Sequence, residues 1–287
     1  MRNPESLKLL SLRYDHLSGV SCFSFKESIS SSDCLVEGLQ LVSNMSGSLA
    51  NNPQLSVELL ESLKVQLRDA SPKKQLPVLF QLLEFQSPGY QVLMEFLLAA
   101  KQQDPSVISA GRALQLLSQI QEEAVKVFLA EHFPAGLVPL PSACKVDYSE
   151  IQTALIQQDF ETADRLTLQK MCELAGPTAV KRKWIYFTEV NAFPKIDLKT
   201  LDQLWFIYSE GKFGFSKQRE IWIGIDKNWE RLWSKIAWKE GNLWTRYPGG
   251  FIWSLEAPVG HLPLTNQLRG VRVMDALMNH PAWTEPT

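Results

Sequence analysis

The sequence predicts an all-α protein built as an N-terminal helical bundle followed by a second helical domain, and three observations carry that prediction. Apolar residues recur at spacings of three and four almost everywhere from residue 55 onward, which puts them on one face of a helix. Breakers fall between these stripes at the expected joints. No stretch shows the sustained apolar–polar alternation of a strand, and no repeat of fixed period appears beyond a generic helical hairpin.

Residues 1–54 stand apart. The run from 20 to 56 is serine-rich with short hydrophobic scraps and no sustained period, and the start is neither a secretory apolar region nor acid-poor like a transit peptide. We read it as a disordered extension, with a targeting segment as a second reading. Met45 opens MSGSLANNPQ, an ordinary protein beginning, so a mis-called start that puts residues 1–44 outside the native chain is a third. Between 55 and 131, Leu60, Leu63 and Leu67 mark one stripe, Leu93, Phe96, Leu97 and Ala100 another, and Ile120, Ala124, Val127 and Phe128 a third. Ser71-Pro72, Ser87-Pro88-Gly89 and Asp104-Pro105 separate them, which predicts four or five short antiparallel helices. The proline-bearing stretch HFPAGLVPLPSACKVDY, from 132, has no helical period and reads as a linker over 132–146.

The second domain, 147–283, is again helical. Asp159 is placed to N-cap a helix bearing Leu168, Met171, Cys172 and Ala175 and stopped at Gly176-Pro177. Another helix starts near Asp197 with Leu201, Leu204, Trp205 and Tyr208 on one face. Trp222, Ile225, Trp229, Leu232 and Ile236 continue at spacings of three and four beyond the run GKFGFSKQREIW, residues 211–222. Within that run Gly211 and Gly214 allow a bend and Ser216 is expected to cap the helix that follows. All nine tryptophans fall after residue 183, an asymmetry that composition alone does not explain.

Charge and cysteine usage narrow the function classes. A net charge of −2 gives no general attraction to nucleic acid or an anionic surface. Cys22, Cys34, Cys144 and Cys172 lie far apart with no C-x-x-C pair, so neither a disulfide framework nor a zinc site is predicted. The longest apolar run, VLMEFLLAA, is interrupted by Glu95 and is far short of the roughly 18 residues of a membrane span. His16, His132, His261 and His280 pair with no other ligand at helical spacing, and no catalytic or phosphate-binding motif is present. Asp226, Glu230 and Glu240 could do acid–base work, but as a solvated helix face they need no such role. Neither metal binding nor catalysis is expected.

Aromatics and arginines carry what remains. KFGFS partly matches an RNA-recognition strand pattern, but the order is Gly-Lys-Phe, Ser216 replaces the valine, and the flanks are helical. Lys181-Arg182-Lys183 beside Trp184 is a basic cluster of a kind that usually faces solvent at a helix end. No nucleic-acid partner is therefore expected. Phe213 and Phe215 either pack inward or line a concave surface for a flat apolar molecule. In GHLPLTNQLRGVRVMDAL, Thr265 can N-cap a helix on which Arg269 and Arg272 share a face at i, i+3, suited to gripping two carboxylates or to pairing with nearby acids.

Several separated motifs occur in a fixed order: DFETADRLTLQKMCELAG (159–176), WIYFTEVNAFPKIDLKTLDQLW (184–205), GKFGFSKQREIW and APVGHLPLTNQLRGVRV (257–273). Together they resemble the Gun-four family, the genomes-uncoupled porphyrin-binding regulators of magnesium chelatase. Residues 55–131 resemble, more loosely, the helical N-terminal domain of cyanobacterial members. The resemblance implies a core shaped like a cupped hand that binds protoporphyrin IX and Mg-protoporphyrin IX. It implies stimulation of magnesium chelatase through that enzyme's large, porphyrin-binding H subunit, with no catalysis by this chain. It further implies a monomer in the cytoplasm of a cyanobacterium or in the plastid stroma, with no transmembrane segment and room for peripheral contact with photosynthetic membranes. By position in the motifs it implies Phe187, Phe213 and Phe215 as wall residues, Arg269 and Arg272 near the ligand carboxylates, and Trp244 in NLWTRYP as a further contact. The physical alternative is a helical protein-interaction scaffold with no tetrapyrrole ligand, whose aromatics are all core.

Overall fold

Helices begin where the breakers predict them. The structure, a computed structural model, describes residues 53–104, 107–265 and 271–284. The first part is five helices: α1 (Pro53–Asp69), α2 (Pro72–Leu83), α3 (Ser87–Gln103), α4 (Ile108–Ser118) and α5 (Glu123–His132). Pro72 and Pro88 sit in the first turns of α2 and α3, where a missing N–H leaves no bond unmade. Leu63, Leu67, Leu79, Leu82, Leu93 and Leu97 turn inward as one core, and α4 is buried along nearly its whole length.

Burial of α4 has a cause. It packs against α2, α3 and α5 on one side and, on the other, against the second part of the chain. Gln115, fully buried, donates through Nε2 to the Leu155 carbonyl at 2.8 Å and the Tyr208 carbonyl at 2.9 Å. Beside it Arg112 donates to Gln158 at 3.0 Å and pairs with Glu210 at 3.1 Å. One face of α4 thus ties the two helical parts together through the buried Gln115 and a partly buried Arg112 network.

The second part runs α6 (Ser149–Ile156), α7 (Phe160–Ala175), α8 (Pro177–Arg182), α9 (Phe187–Val190), α10 (Lys195–Ile207), α11 (Phe215–Ile223) and α12 (Trp229–Lys235). A two-residue hairpin follows, β1 (Lys239–Glu240) against β2 (Leu243–Trp244), then α13 (Arg272–Met278) and a 3-10 turn at Pro281–Trp283. Asp159 caps α7 as expected, accepting from the Thr162 N–H at 3.1 Å. The proline-bearing stretch before α6 carries no regular element but is anchored throughout. Phe133, Leu137 and Val138 are buried, Gln152 bonds both the N–H and the carbonyl of Val138, and Asp197 accepts from the Ala143 N–H and the Tyr148 hydroxyl.

Five local expectations are corrected. The stripe through Ile120, Ala124, Val127 and Phe128 is not the buried face of α5: Ile120 lies before the helix, Ala124 and Val127 face solvent, and Val125 is the buried residue. The Trp222-to-Ile236 stripe is not one helix: a turn over 224–228, with Asp226 and Lys227 both at φ +58°, separates α11 from α12. The β hairpin was not expected, because two-residue strands carry no readable alternation; the Gly241-Asn242 pair between Glu240 and Leu243 was its only signal. Ser216 does not cap α11. That helix begins at Phe215, and its Ser216 N–H is taken by the Asp202 carboxylate of α10 at 2.7 Å. Gly214 stands at φ +117°, where an added Cβ would come within 2.7 Å of Asp202, so this trans cap requires glycine. Thr265 likewise caps nothing in the described residues: its hydroxyl meets Met274 Sδ at 3.6 Å, and α13 starts only at Arg272.

Replacing Gln115 with Leu removes two buried hydrogen bonds across the junction and leaves carbonyls without those partners, which should cost about 1–3 kcal/mol. Urea denaturation of the full chain checks it.

Candidate functional site

The two motifs that weigh most in the sequence lie against each other. The Gly260 N–H donates to the Lys212 carbonyl at 2.8 Å and the Gly214 N–H to the Leu262 carbonyl at 3.0 Å. Gln218, fully buried on α11, reaches across with Nε2 to the Gly260 carbonyl at 3.0 Å and the Pro263 carbonyl at 2.8 Å. Gly260 itself, at φ +82°, has Ile221 and Ile236 so close that a Cβ would collide with them. KFGFSKQ and GHLP are therefore two sides of one backbone junction.

His261 secures that junction from the other side. Its Nδ1–H donates to the Ile236 carbonyl at 2.6 Å, its Nε2 accepts from the Ile252 N–H at 3.1 Å, and its carbonyl accepts from Trp238 Nε1 at 2.8 Å. Burial holds the imidazole below the ordinary histidine range, and with both nitrogens engaged it offers none to a metal. Leu264, three residues on, donates its N–H to Asp164 of α7 at 2.6 Å. Burial pushes the Asp164 carboxyl up to about 7, with the Leu264 N–H opposing that rise and Glu161 adding to it.

Phe187 and Arg272 are brought together. Phe187 opens α9, Arg272 opens α13, and the guanidinium carbon lies 5.4 Å from the Phe187 ring centroid. Both line a cleft of about 530 Å³ with Asn191, Val271, Asp275 and Ala276, within the roughly 300–1,000 Å³ typical of small-molecule sites. A cation at a helix N-terminus works against the helix dipole. Arg272 is exposed and lies over the Phe187 ring face, with its charge open to an anion. His280 also borders the cleft, but its Nδ1 accepts from the Ala282 N–H at 3.1 Å and the ring bonds the Phe193 backbone.

The other candidates lie elsewhere. Phe213 and Phe215 are fully buried, Phe213 packing edge-on against Phe160 at 5.7 Å and against Trp205 at 6.4 Å. They stand behind the surface rather than on it. Trp244, 36% exposed, is on the hairpin, 5.7 Å from Trp233 and beneath the Lys239 ammonium. It branches at Trp233 from a row in which Trp222, Trp229, Trp233 and Trp238 follow at 4.8, 5.3 and 5.5 Å between centroids. Arg269 lies outside the described residues. Of the basic cluster at 181–183, Lys181 and Lys183 do face solvent, whereas Arg182 does not: it packs against both Trp184 and Tyr186, whose rings also touch each other. Sequence reasoning passed over Asp164 and read Arg182 as part of a solvent-facing cluster; the aromatics that follow the charges in KRKWIY were the signal for its different role.

Two helical parts, the second built on a KFGFSKQ–GHLP junction beside an aromatic–arginine cleft, define the class. Residues 141–281 match the GUN4-like family and residues 54–134 the ARM-like repeat domain of the GUN4 N-terminus. The chain is 48% identical over 226 residues to the Ycf53-like protein of Synechocystis sp., covering 79% of this chain and 97% of that one. It is 35% identical over 145 residues to the chloroplastic tetrapyrrole-binding protein of Arabidopsis thaliana, covering 47% of this chain and 55% of that one. The solved structure of GUN4 from Chlamydomonas reinhardtii superposes with a TM-score of 0.49 at 41% identity, covering 52% of this chain and 95% of that one. The chain belongs to the GUN4-like family. Among the described residues no helix is long and apolar enough to cross a membrane.

The raised Asp164 gives a pH prediction. Between its unfolded value near 3.8 and about 7 the folded state binds the extra proton, so this group's contribution to stability falls as pH rises through that window. Asp164→Asn keeps an acceptor for the Leu264 N–H and removes the titration. Thermal denaturation should show the variant gaining over the parent at pH 8, with the gain shrinking at pH 5; a difference independent of pH would contradict the assignment.

Proposed function

We propose that this chain binds protoporphyrin IX and Mg-protoporphyrin IX and, without catalysing a reaction itself, stimulates magnesium chelatase through that enzyme's large H subunit. The observation that carries the reading is the Phe187–Arg272 pair on the wall of the 530 Å³ cleft, in a chain of the GUN4-like family. The Arabidopsis relative's name adds support, since it is a tetrapyrrole-binding protein. The setting that fits is the cytoplasm of a cyanobacterium or a plastid stroma, with any membrane contact peripheral.

The chemistry fits the ligand. A porphyrin is a rigid apolar disc with two propionates, so ring burial at roughly 25 cal/mol per Å² supplies most of the affinity. The carboxylates add orientation through Arg272 and, in this reading, Arg269. Phe213 and Phe215 brace the domain from within, and Trp244 offers a further flat surface at the hairpin. Magnesium in the ring would favour hard oxygen donors, and the ring nitrogens of His261 and His280 are already engaged within the protein.

Titrating the chain with protoporphyrin IX while following tryptophan fluorescence should give saturable, near-stoichiometric quenching, and its absence would favour the interaction-scaffold reading. In the same titration Phe187→Ala should cost roughly 1.5–3 kcal/mol of binding. The solvent-exposed Arg272→Ala should cost less, roughly 0.5–1 kcal/mol. Adding the protein to purified chelatase subunits should speed magnesium insertion; binding without acceleration would leave the ligand and remove the regulatory role.

A further inference from the structure

Four contacts converge on the guanidinium of Arg182. Its carbon lies 4.3 Å from the Trp184 ring centroid and 4.4 Å from that of Tyr186, two rings set edge to face. Its Nε donates to the Trp184 carbonyl at 3.0 Å, and one Nη donates to Glu189 Oε2 at 2.6 Å. That same carboxylate oxygen accepts the Tyr186 N–H at 2.7 Å, closing the start of α9. Only 17% of the Arg182 side chain and 24% of Glu189 is exposed.

These contacts matter because of what they hold. α9 has four residues, too few to be stable by its own hydrogen bonding. Phe187 is its first residue, so the direction of that ring is set by the chain before it, residues 183–186, and by the Glu189 cap. Lys183 enters this stretch in the left-handed region at φ +62°, a backbone state that a non-glycine residue keeps only when its surroundings impose it. A planar guanidinium satisfies two flat rings, a carbonyl and a carboxylate together. A lysine ammonium could replace the charge but not the stacking.

We infer that Arg182 is a positioning residue for ligand binding: it fixes the 183–189 turn so that Phe187 lies beneath Arg272 on the cleft wall, without touching the ligand itself. This rests on the porphyrin reading given above. The consequence is a coupling between Arg182 and Phe187 that a residue serving only general stability would not have.

The test measures protoporphyrin IX affinity by fluorescence titration, and melting temperature by circular dichroism, on the full chain carrying Arg182→Ala, Arg182→Lys, Phe187→Ala and the two double variants. Arg182→Ala should weaken binding about fivefold or more when Phe187 is present, and by less than about twofold when Phe187 is already alanine. Arg182→Lys should fall between parent and alanine, and it keeps the comparison open if the alanine variant does not fold. Unchanged affinity in both Arg182 variants, or an equal loss with and without Phe187, would overturn the inference. A parent protein that does not bind protoporphyrin IX would instead overturn the functional reading on which it rests.

Discussion

The turn at residues 260–264 is the constraint on which the second helical part depends. In five residues it takes backbone bonds from Lys212 and Gly214, side-chain bonds from Gln218, Trp238 and Asp164, and lends its own His261 ring to Ile236 and Ile252. Each such bond contributes only about 0.5–1.5 kcal/mol net. Their convergence matters more than their sum, because α7, α11, α12 and the stretch after the hairpin all end on one short segment. Moving any of them would leave buried polar groups without partners.

Arg272 opens α13, which packs against α9 and α11. The ring beneath that cation is positioned by other contacts. α9 is one turn long, and the direction of Phe187 comes from the aromatic and charged contacts of Arg182 and Glu189. The cleft thus lies between two short elements, neither of which would hold its shape alone. Phe160 of α7, Trp205 of α10 and Phe213, just before α11, form one buried aromatic cluster.

Periodicity made most of the helices legible. The stripes through Leu63 and Leu67, through Leu93 and Leu97, and through Leu201 and Leu204 are buried faces as read, because a helix of ten or more residues cannot bury an apolar stripe without repeating it. Where an element is shorter than its own period the signal failed. The β hairpin has two residues per strand, and the turn between α11 and α12 preserves the three-four spacing by accident while breaking the helix. Ser216 was misassigned as a cap because local sequence offers a hydroxyl there, while the carboxylate that takes the bond comes from Asp202 on another helix. The aromatics of KFGFS were visible as unusual, but whether they faced a ligand or the core is a question of which side of the backbone is covered.

By itself the sequence determined an all-helical chain in two parts, the places where its longer helices start and stop, and the family to which its ordered motifs belong. These are local or additive properties: propensity, capping, apolar spacing, and residue identity along the chain. Only the tertiary structure decided that KFGFSKQ and GHLP meet, that Phe213 and Phe215 are interior, that Arg182 is a clamp rather than a surface charge, and that Phe187 lies beneath Arg272. Arg182 takes partners only two to seven residues on, but the others depend on groups far apart in sequence meeting in one packed volume. There a donor takes whichever acceptor the packing leaves within reach, a choice that no local pattern encodes.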